Sequence, residues 1–198
     1  MIPAAAGIVF DAELRIPCRR ADIMAMPITA PRYTVDQVRG FPPDGQRYEL
    51  LDGVLLVTPA PRHLHQVVVG HLFAQLYQGV VPSRMARVVS IGELEVGNLT
   101  LLNPDILVYP ARYGPDIPWK LMREWWLAVE VLSPSSRVYD RDFKRQAYQA
   151  VGVEAVWLVD PDACSVEIWE QGSAAPRIER DTIEWRGVRI DLGVVWER

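Results

Sequence analysis

The chain has 198 residues, of which 49% are hydrophobic and 23% are charged, and its formal net charge is −4. A chain of this length is most often a single domain, because one hydrophobic core can serve up to about 250 residues. It contains no uncharged apolar run of about 18 residues, as a membrane span requires, and its two cysteines are too few for a disulfide framework. We therefore expect a cytoplasmic protein that is neither membrane-bound nor, given its acidic balance, a general polyanion binder.

Residues 1–27 are predicted to form an extension, either disordered or not translated, and a single folded domain is predicted over residues 28–198. The extension has three prolines and no sustained hydrophobic period. It also lacks the basic start of a signal peptide, so we expect no cleaved leader. Met24 and Met26 leave a later translation start open.

Regular structure is predicted from Thr34 onward. Thr34 and Gln37 fit a capping box, which predicts a short helix ending near Gly40. Asp52-Gly53 is the dipeptide favoured in a two-residue type I′ turn, and apolar runs flank it on both sides. These signals predict a hairpin with strands at 48–51 and 54–57.

The rest of the chain alternates predicted helices and strands. Apolar residues at helical spacing predict a helix over 63–78 with Gly79 as its C-cap, and a second helix is predicted over 140–151. The run 125–132 is apolar on both faces apart from one acid, which predicts a central strand covered on both sides. Further strands are predicted at 88–96 with a break at Gly92, at 101–109, at 155–159, at 165–170, and as one or two edge strands near the C-terminus. This order predicts an α/β or α+β fold with a central mixed sheet flanked by helices.

Three ionisable residues occur where apolar residues are expected. Asp105 precedes the apolar run 106–109, Glu130 lies inside the run 125–132, and Lys144 lies on the next predicted helix. An acid in a strand that is buried on both faces is costly unless a cation or a metal satisfies it. Two such acids and a lysine are the groups needed to hold Mg²⁺ and to cleave a phosphodiester.

Each of these residues also has a purely structural interpretation. Asp105 follows a proline and is also explained as the cap of a turn before a strand. Glu130 is also explained by a buried pair with an arginine, and Lys144 by an exposed pair with Asp140 at i, i+4.

Distinctive motifs follow one another in order at 48–53, 103–105, 129–135, 140–148 and 152–161. Together they resemble the Uma-two family of proposed endonucleases, a branch of the PD-(D/E)XK nuclease superfamily, and the resemblance covers about residues 32–170. It implies a restriction-endonuclease-like core and a nuclease that cleaves nucleic acid, with DNA as the expected substrate. It also implies Mg²⁺ as the cofactor, for which Mn²⁺ can substitute.

The resemblance assigns roles position by position. Asp105 matches the aspartate of the Pro-Asp motif and Glu130 the second acid, which makes both of them metal ligands. The usual lysine of the superfamily would fall on Leu132, so the strict pattern is broken, and Lys144 on the following helix takes its place. Glu49 is an additional candidate acid, whose alternative is a salt bridge with Arg47 on the same side of a strand.

Residues His65 and Gln66 are candidate auxiliary residues at the start of the helix over 63–78. His63 and His65 cannot chelate one ion on a regular helix, since residues two apart point in nearly opposite directions. The family carries a polar helix start at this place, which puts His65 and Gln66 in the cleft.

Arg137, Arg141 and Arg145 recur every four residues beside Lys144. This basic stripe is either a solvated face or a surface that contacts the phosphate backbone of nucleic acid.

Three functions remain open from the sequence. The first is a metal-dependent endonuclease, with a homodimer suggested by hydrophobic C-terminal edge strands. The second is a catalytically silent nucleic-acid-binding or regulatory module that keeps the nuclease fold, which the missing lysine at Leu132 and the negative charge favour. The third is a hydrolase of small phosphoesters.

Overall fold

The computed structural model describes residues 31–58, 60–133 and 140–197. The predicted extension at 1–27 and its boundary with the folded domain lie outside these ranges. In chain order the helices are α1 Val35–Arg39, α2 His63–Val80, α3 Arg145–Ala150 and α4 Leu192–Val195. A π-helical turn, Asp140–Lys144, leads directly into α3. Among the described residues no helix is both long and apolar enough to cross a membrane.

The described strands form three sheets. They are β1 Arg47–Leu51, β2 Val54–Thr58, β3 Ala86–Ser90, β4 Leu94–Val96, β5 Thr100–Leu102, β6 Ile106–Pro110, β7 Trp125–Val131, β8 Val153–Asp160, β9 Ser165–Glu170, β10 Arg177–Glu179, β11 Thr182–Trp185 and β12 Val188–Asp191. The large sheet has the order β10-β9-β8-β7-β6-β3, the small sheet has the order β2-β1-β5-β4, and β11 and β12 form a hairpin. In the large sheet only β7 and β8 run parallel, so the predicted mixed sheet is confirmed.

The apolar run around Glu130 forms the central strand that its sequence predicts. β7 lies between β6 and β8, and every one of its residues except Trp126 is buried. α2, α4 and the β11–β12 hairpin pack on one face of the large sheet. α3, Met122 and the small sheet's Leu94 and Leu102 pack on the other face. Polar side chains from β7 are therefore held far from bulk water.

The local signals near the N-terminus are confirmed. Thr34 accepts a hydrogen bond from the Gln37 backbone N–H, and its own N–H donates to the Gln37 side chain at 2.8 Å, which completes the capping box. Asp52 and Gly53 have φ angles of 47° and 77°, as a type I′ turn requires. Leu51 pairs with Val54 across this turn.

The break predicted at Gly92 is found, whereas the predicted continuity of 101–109 is wrong, because each of the two runs is divided between two sheets. The run 88–96 contributes to β3 in the large sheet and β4 in the small one, and 101–109 is divided likewise between β5 and β6. At Gly92 a Cβ would lie 2.8 Å from the Leu107 side chain, so only glycine lets the chain pass there. The second passage occurs at Asn103-Pro104-Asp105, which puts Asp105 at the junction of the two sheets.

Other predicted boundaries change for packing reasons. Gly79 is not the C-cap of α2, which continues to Val80 and is capped at Val81. A Cβ at Gly79 would lie 2.1 Å from Val188 Cγ1, so this glycine allows α2 to lie against β12. The predicted helix over 140–151 begins as a π-helical turn, and the C-terminal residues 192–195 form α4 instead of a strand.

Candidate active site

Four residues predicted from the sequence lie together in a buried cluster. Glu49 comes from β1, Asp105 from the passage into β6, Glu130 from β7 and Lys144 from the end of the π-helical turn. Glu49 is fully buried, and each of the other three is only 2% exposed. Four buried ionisable side chains are costly unless they have partners. Lys144 pairs with Glu49 and Glu130, and Asp105 pairs with Arg47 and His65.

The junction between the sheets explains why the acids meet. Within the small sheet Leu50 of β1 pairs with Leu101 of β5. The chain then leaves β5 and enters β6, where Ile106 pairs with Val129 of β7. The backbone N–H of Asn103, at this passage, donates to Glu49 Oε1 at 2.7 Å. The three residues 103–105 thus connect the two sheets and bring the acids of both sheets to one place.

Lys144 lies between two of the acids. Its ammonium Nζ is 2.7 Å from Glu49 Oε2 and 3.2 Å from Glu130 Oε1. It is buried, unlike the exposed residue that a surface pair with Asp140 would require. Leu132, at the place of the usual superfamily lysine, is buried in the apolar core. Lys144 therefore brings the positive charge to the acids from the helical side.

Asp105 is surrounded by donors on both carboxylate oxygens. Oδ1 accepts from Arg47 Nη1 at 3.1 Å, and Oδ2 accepts from the Val131 N–H at 2.9 Å and lies 3.0 Å from His65 Nε2. Burial raises the pKa of Asp105, but the hydrogen bond and charge of His65 and the charge of Arg47 outweigh burial and lower that pKa. Asp105 therefore stays ionised, and Arg47 pairs with it instead of forming the expected salt bridge with Glu49.

Tyr148 is a member of the cluster that sequence reasoning missed. It is fully buried on α3, and its hydroxyl donates to Glu130 Oε1 at 2.5 Å. Burial, followed by the negative charges of Glu130 and Glu49, raises the pKa of Tyr148 well above its ordinary value. The hydroxyl therefore remains a neutral donor, and it holds Glu130 from the side opposite to the strand.

Weak signals for the missed residues were present in the sequence. Tyr148 is four residues after Lys144, a spacing that puts two side chains on one helix face. Arg47 is two residues before Glu49, on the same side of β1 by alternation. Asn103 directly precedes the Pro-Asp motif. Each is also an ordinary core or strand residue, so the spacing alone did not identify it.

The predicted auxiliary residues separate in space. His65 contacts Asp105, whereas His63 and Gln66 are exposed on α2. The role of Gln66 in the cleft stays a prediction.

The predicted arginine stripe has partners within the chain. Arg141 Nη2 lies 3.3 Å from Asp160 Oδ2 and 2.7 Å from Glu167 Oε1. The guanidinium of Arg145 lies 4.1 Å from the centre of the Trp169 ring. Arg137 lies outside the described residues. Contacts of this stripe with phosphate stay a prediction, and for Arg141 they would compete with its two acids.

The donor set of the cluster fits a divalent metal. The cluster brings three carboxylates, Glu49, Asp105 and Glu130, together in a buried site. The amide Oδ1 of Asn103 is also buried and has no hydrogen-bond partner among the described residues. No three His, Cys, Asp or Glu side chains of the described part are grouped as metal ligands. Mg²⁺ needs only one or two carboxylates besides water and substrate oxygens, which Asp105 and Glu130 can supply.

Comparisons with known proteins identify the family and the fold of the chain. The Uma2 (Uma-two) family model, described as "Putative restriction endonuclease", matches residues 35–192, which is most of the chain. A solved structure described as a "putative nuclease belonging to DUF820 from Anabaena variabilis ATCC 29413" is similar, with a TM-score of 0.72. The two sequences are 18% identical, and the match covers 83% of this chain and 97% of that one, so it shows the shared fold. A search of curated proteins found no match.

Proposed function

The chain belongs to the Uma2 family of nuclease-like proteins, and from this premise we propose that it is an endonuclease that hydrolyses phosphodiester bonds in DNA. Its proposed cofactor is Mg²⁺, for which Mn²⁺ can substitute. The observation that carries the proposal is the convergence of Glu49, Asp105, Glu130 and Lys144 in one buried cluster at the junction of two sheets. The family supports the nuclease reaction, and the chemistry of the cluster supports the choice of a hard divalent metal.

In the proposed mechanism Asp105 and Glu130 hold the metal, which when bound neutralises phosphate charge and lowers the pKa of a water ligand. Lys144 directs its ammonium at the reacting phosphate or water, where a positive charge stabilises the developing negative charge. Glu49 orients Lys144 through the 2.7 Å ion pair. Arg47 and His65 keep Asp105 ionised before substrate arrives.

A second candidate is the catalytically silent nucleic-acid-binding or regulatory module. The observation that favours it is that both oxygens of Asp105 already have protein partners, namely Arg47, His65 and the Val131 N–H. These partners take up three of the roughly four lone-pair sites of the carboxylate, so metal binding at Asp105 would compete with them. A silent module involves no such competition.

Two experiments separate the candidates. Thermal unfolding is measured with and without millimolar Mg²⁺ or Mn²⁺, and the protein is then incubated with supercoiled plasmid. Ligands that bind only the folded state raise its stability, so wild type is expected to be stabilised by metal and to nick the plasmid. Glu130→Gln is expected to lose both effects. Glu184→Gln changes an acid whose side chain is 64% exposed on β11, and it serves as the matched control that keeps both effects.

Absence of metal stabilisation and of nicking in wild type would favour the silent module. Stabilisation without nicking, together with hydrolysis of a chromogenic phosphodiester, would favour the small-phosphoester hydrolase.

We also propose a cytoplasmic homodimer, because a two-fold assembly would place one site on each strand of a duplex. β10 is an outer strand of the large sheet, and Ile178 on it is 51% exposed. Light scattering after size exclusion measures the mass, and a monomer that cleaves both strands would overturn the dimer.

A further inference from the structure

A cavity lined by basic residues lies at the outer edge of the large sheet, away from the acid cluster. A cavity of about 470 Å³ is bounded by β3, the end of α2 and the residues after β6. Its lining includes Arg84, Arg87, Tyr77 and Tyr109 but no acidic residue. The volume lies within the range of small-molecule sites and exceeds what a lone phosphate needs.

The two arginines of this cavity are available to a ligand. Neither Arg84 nor Arg87 forms an ion pair with a described residue, although most other arginine contacts in the chain involve acids. Nε of Arg87 is buried and has no hydrogen-bond partner among the described residues. An unsatisfied buried donor of this kind is costly unless a ligand accepts from it. In a chain of net charge −4, a pocket with two cations and no acid selects an anion.

The aromatic residues give the cavity a second chemistry. Tyr109 pairs with Arg87 across the strands β6 and β3, so the phenol and the guanidinium lie beside each other. Tyr77 leaves 48% of its surface exposed at the end of α2. Tyr77 and the two arginines line the same cavity. An aromatic ring and basic groups in one site are the combination that binds a nucleotide, because the base stacks while the phosphate pairs.

The position of the cavity separates it from the acid cluster. Asp105 directly precedes β6 and Tyr109 lies four residues later on it, which corresponds to about 13 Å in extended chain. Arg87, Tyr109 and Asp105 all lie on the same face of the sheet by alternation. A nucleotide in the cavity is therefore distinct from the phosphate that the acids would act on.

We propose that the pocket formed by Arg84, Arg87, Tyr77 and Tyr109 binds one nucleotide unit, its phosphate at the arginines and its base against Tyr77. The choice of a nucleotide as ligand rests on the proposed function. The nucleotide unit can come from two sources, namely the substrate strand or a free nucleotide. A second copy of β3 is a poorer occupant, since antiparallel pairing of two such edges would bring their arginines together.

The test measures binding in EDTA, so that no cleavage contributes to the signal. A fluorescein-labelled single-stranded oligonucleotide is titrated with the full chain, and anisotropy is followed at several salt concentrations. The double variant Arg84→Gln/Arg87→Gln is expected to bind at least tenfold more weakly. Its log–log salt slope should fall by about 0.7, because the two arginines share one phosphate and each phosphate contact in a single strand contributes about 0.7.

Two further variants keep the test decisive. Tyr77→Ala removes a half-exposed ring without touching a charge, and it is expected to weaken binding about tenfold through lost stacking. Arg189→Gln changes an arginine that is 70% exposed on β12 and is the matched control, with unchanged affinity and slope. Competition by unlabelled deoxynucleoside monophosphate indicates the free nucleotide as the source, whereas competition only by unlabelled oligonucleotide indicates the strand.

Equal affinity and equal salt slope for wild type and the arginine double variant would overturn the proposal. A change of oligomeric state in that variant without loss of oligonucleotide binding would also overturn it and assign the edge to a second copy. Binding that needs the arginines in a protein that never nicks plasmid would uphold the pocket while the nuclease proposal fails.

Discussion

Replacing Tyr148 by phenylalanine removes one hydroxyl from the acid cluster and leaves the ring in place. In the wild type this buried hydroxyl donates to Glu130 Oε1 at 2.5 Å. A hydrogen bond to a charged group contributes about 1.5–3 kcal/mol. Lys144 still lies 3.2 Å from the same oxygen, so the carboxylate keeps a cation. We therefore expect the free energy of unfolding to fall by about 2 kcal/mol, the lower part of that range.

A double-mutant cycle tests whether the hydroxyl acts through Glu130. Tyr148→Phe, Glu130→Gln and the double variant are unfolded with urea at pH 7, and tryptophan fluorescence, to which the buried Trp125 and Trp157 contribute, is followed. Tyr148→Phe should lower the free energy of unfolding by about 2 kcal/mol in the wild-type background and by under about 0.5 kcal/mol in the Glu130→Gln background, because the charge to which the hydroxyl donates is absent there. The nicking rate should fall with no change in the affinity for DNA.

Equal losses of stability in the two backgrounds would refute this reasoning. Tyr113→Phe is the matched control, because it removes a hydroxyl from a tyrosine that packs on the same side of the large sheet. It is expected to change stability by less than about 0.5 kcal/mol in both backgrounds.

Three other outcomes are expected. Gly79→Ala should lower the free energy of unfolding by about 1–3 kcal/mol, because its Cβ would lie 2.1 Å from Val188. Gly70→Ala in the same helix meets nothing within 4 Å and should be neutral or stabilising. Urea unfolding of the two variants checks this. Lys144→Met should cost about 3–5 kcal/mol at pH 7 and abolish nicking, since it leaves buried acids without their cation; equal urea midpoints for variant and wild type would contradict it. Folding lowers the pKa of Asp105. The stability that the ionised Asp105 contributes is therefore fully present above the pKa of the unfolded state, about 3.9, and is lost as the pH falls through the lower pKa of the folded state. The difference in unfolding free energy between wild type and Asp105→Asn should therefore be constant near neutral pH and shrink below about pH 4.

Features encoded by adjacent residues were predictable from the sequence. The capping box at Thr34, the Asp52-Gly53 turn and the central strand around Glu130 each depend on a local pattern, and the structure contains all three. The family resemblance is confirmed by the match over residues 35–192. The convergence of Glu49, Asp105, Glu130 and Lys144 also agrees with their selection as site residues, whose catalytic roles stay predictions.

Features that depend on tertiary packing were not predictable in the same way. A continuous apolar run such as 101–109 does not show that its two halves pair with different sheets. Gly79 has the composition of a C-cap, and only the approach of Val188 reveals its actual use. Tyr148 on a helix face resembles any core aromatic until the position of Glu130 is known.

The passage of the chain from β5 to β6 also links the site to local unfolding. Glu49 belongs to the small sheet, whereas Glu130 belongs to the large one, and their common partner Lys144 belongs to neither. Cooperative units of a protein open with different free energies, and small peripheral ones open most easily. If the small sheet opens first, Glu49 leaves while the large sheet stays folded, and the cluster loses one of its three negative charges. Amide exchange in β1 and β5 would then report how often the site is assembled, which is a different quantity from the global stability of the protein.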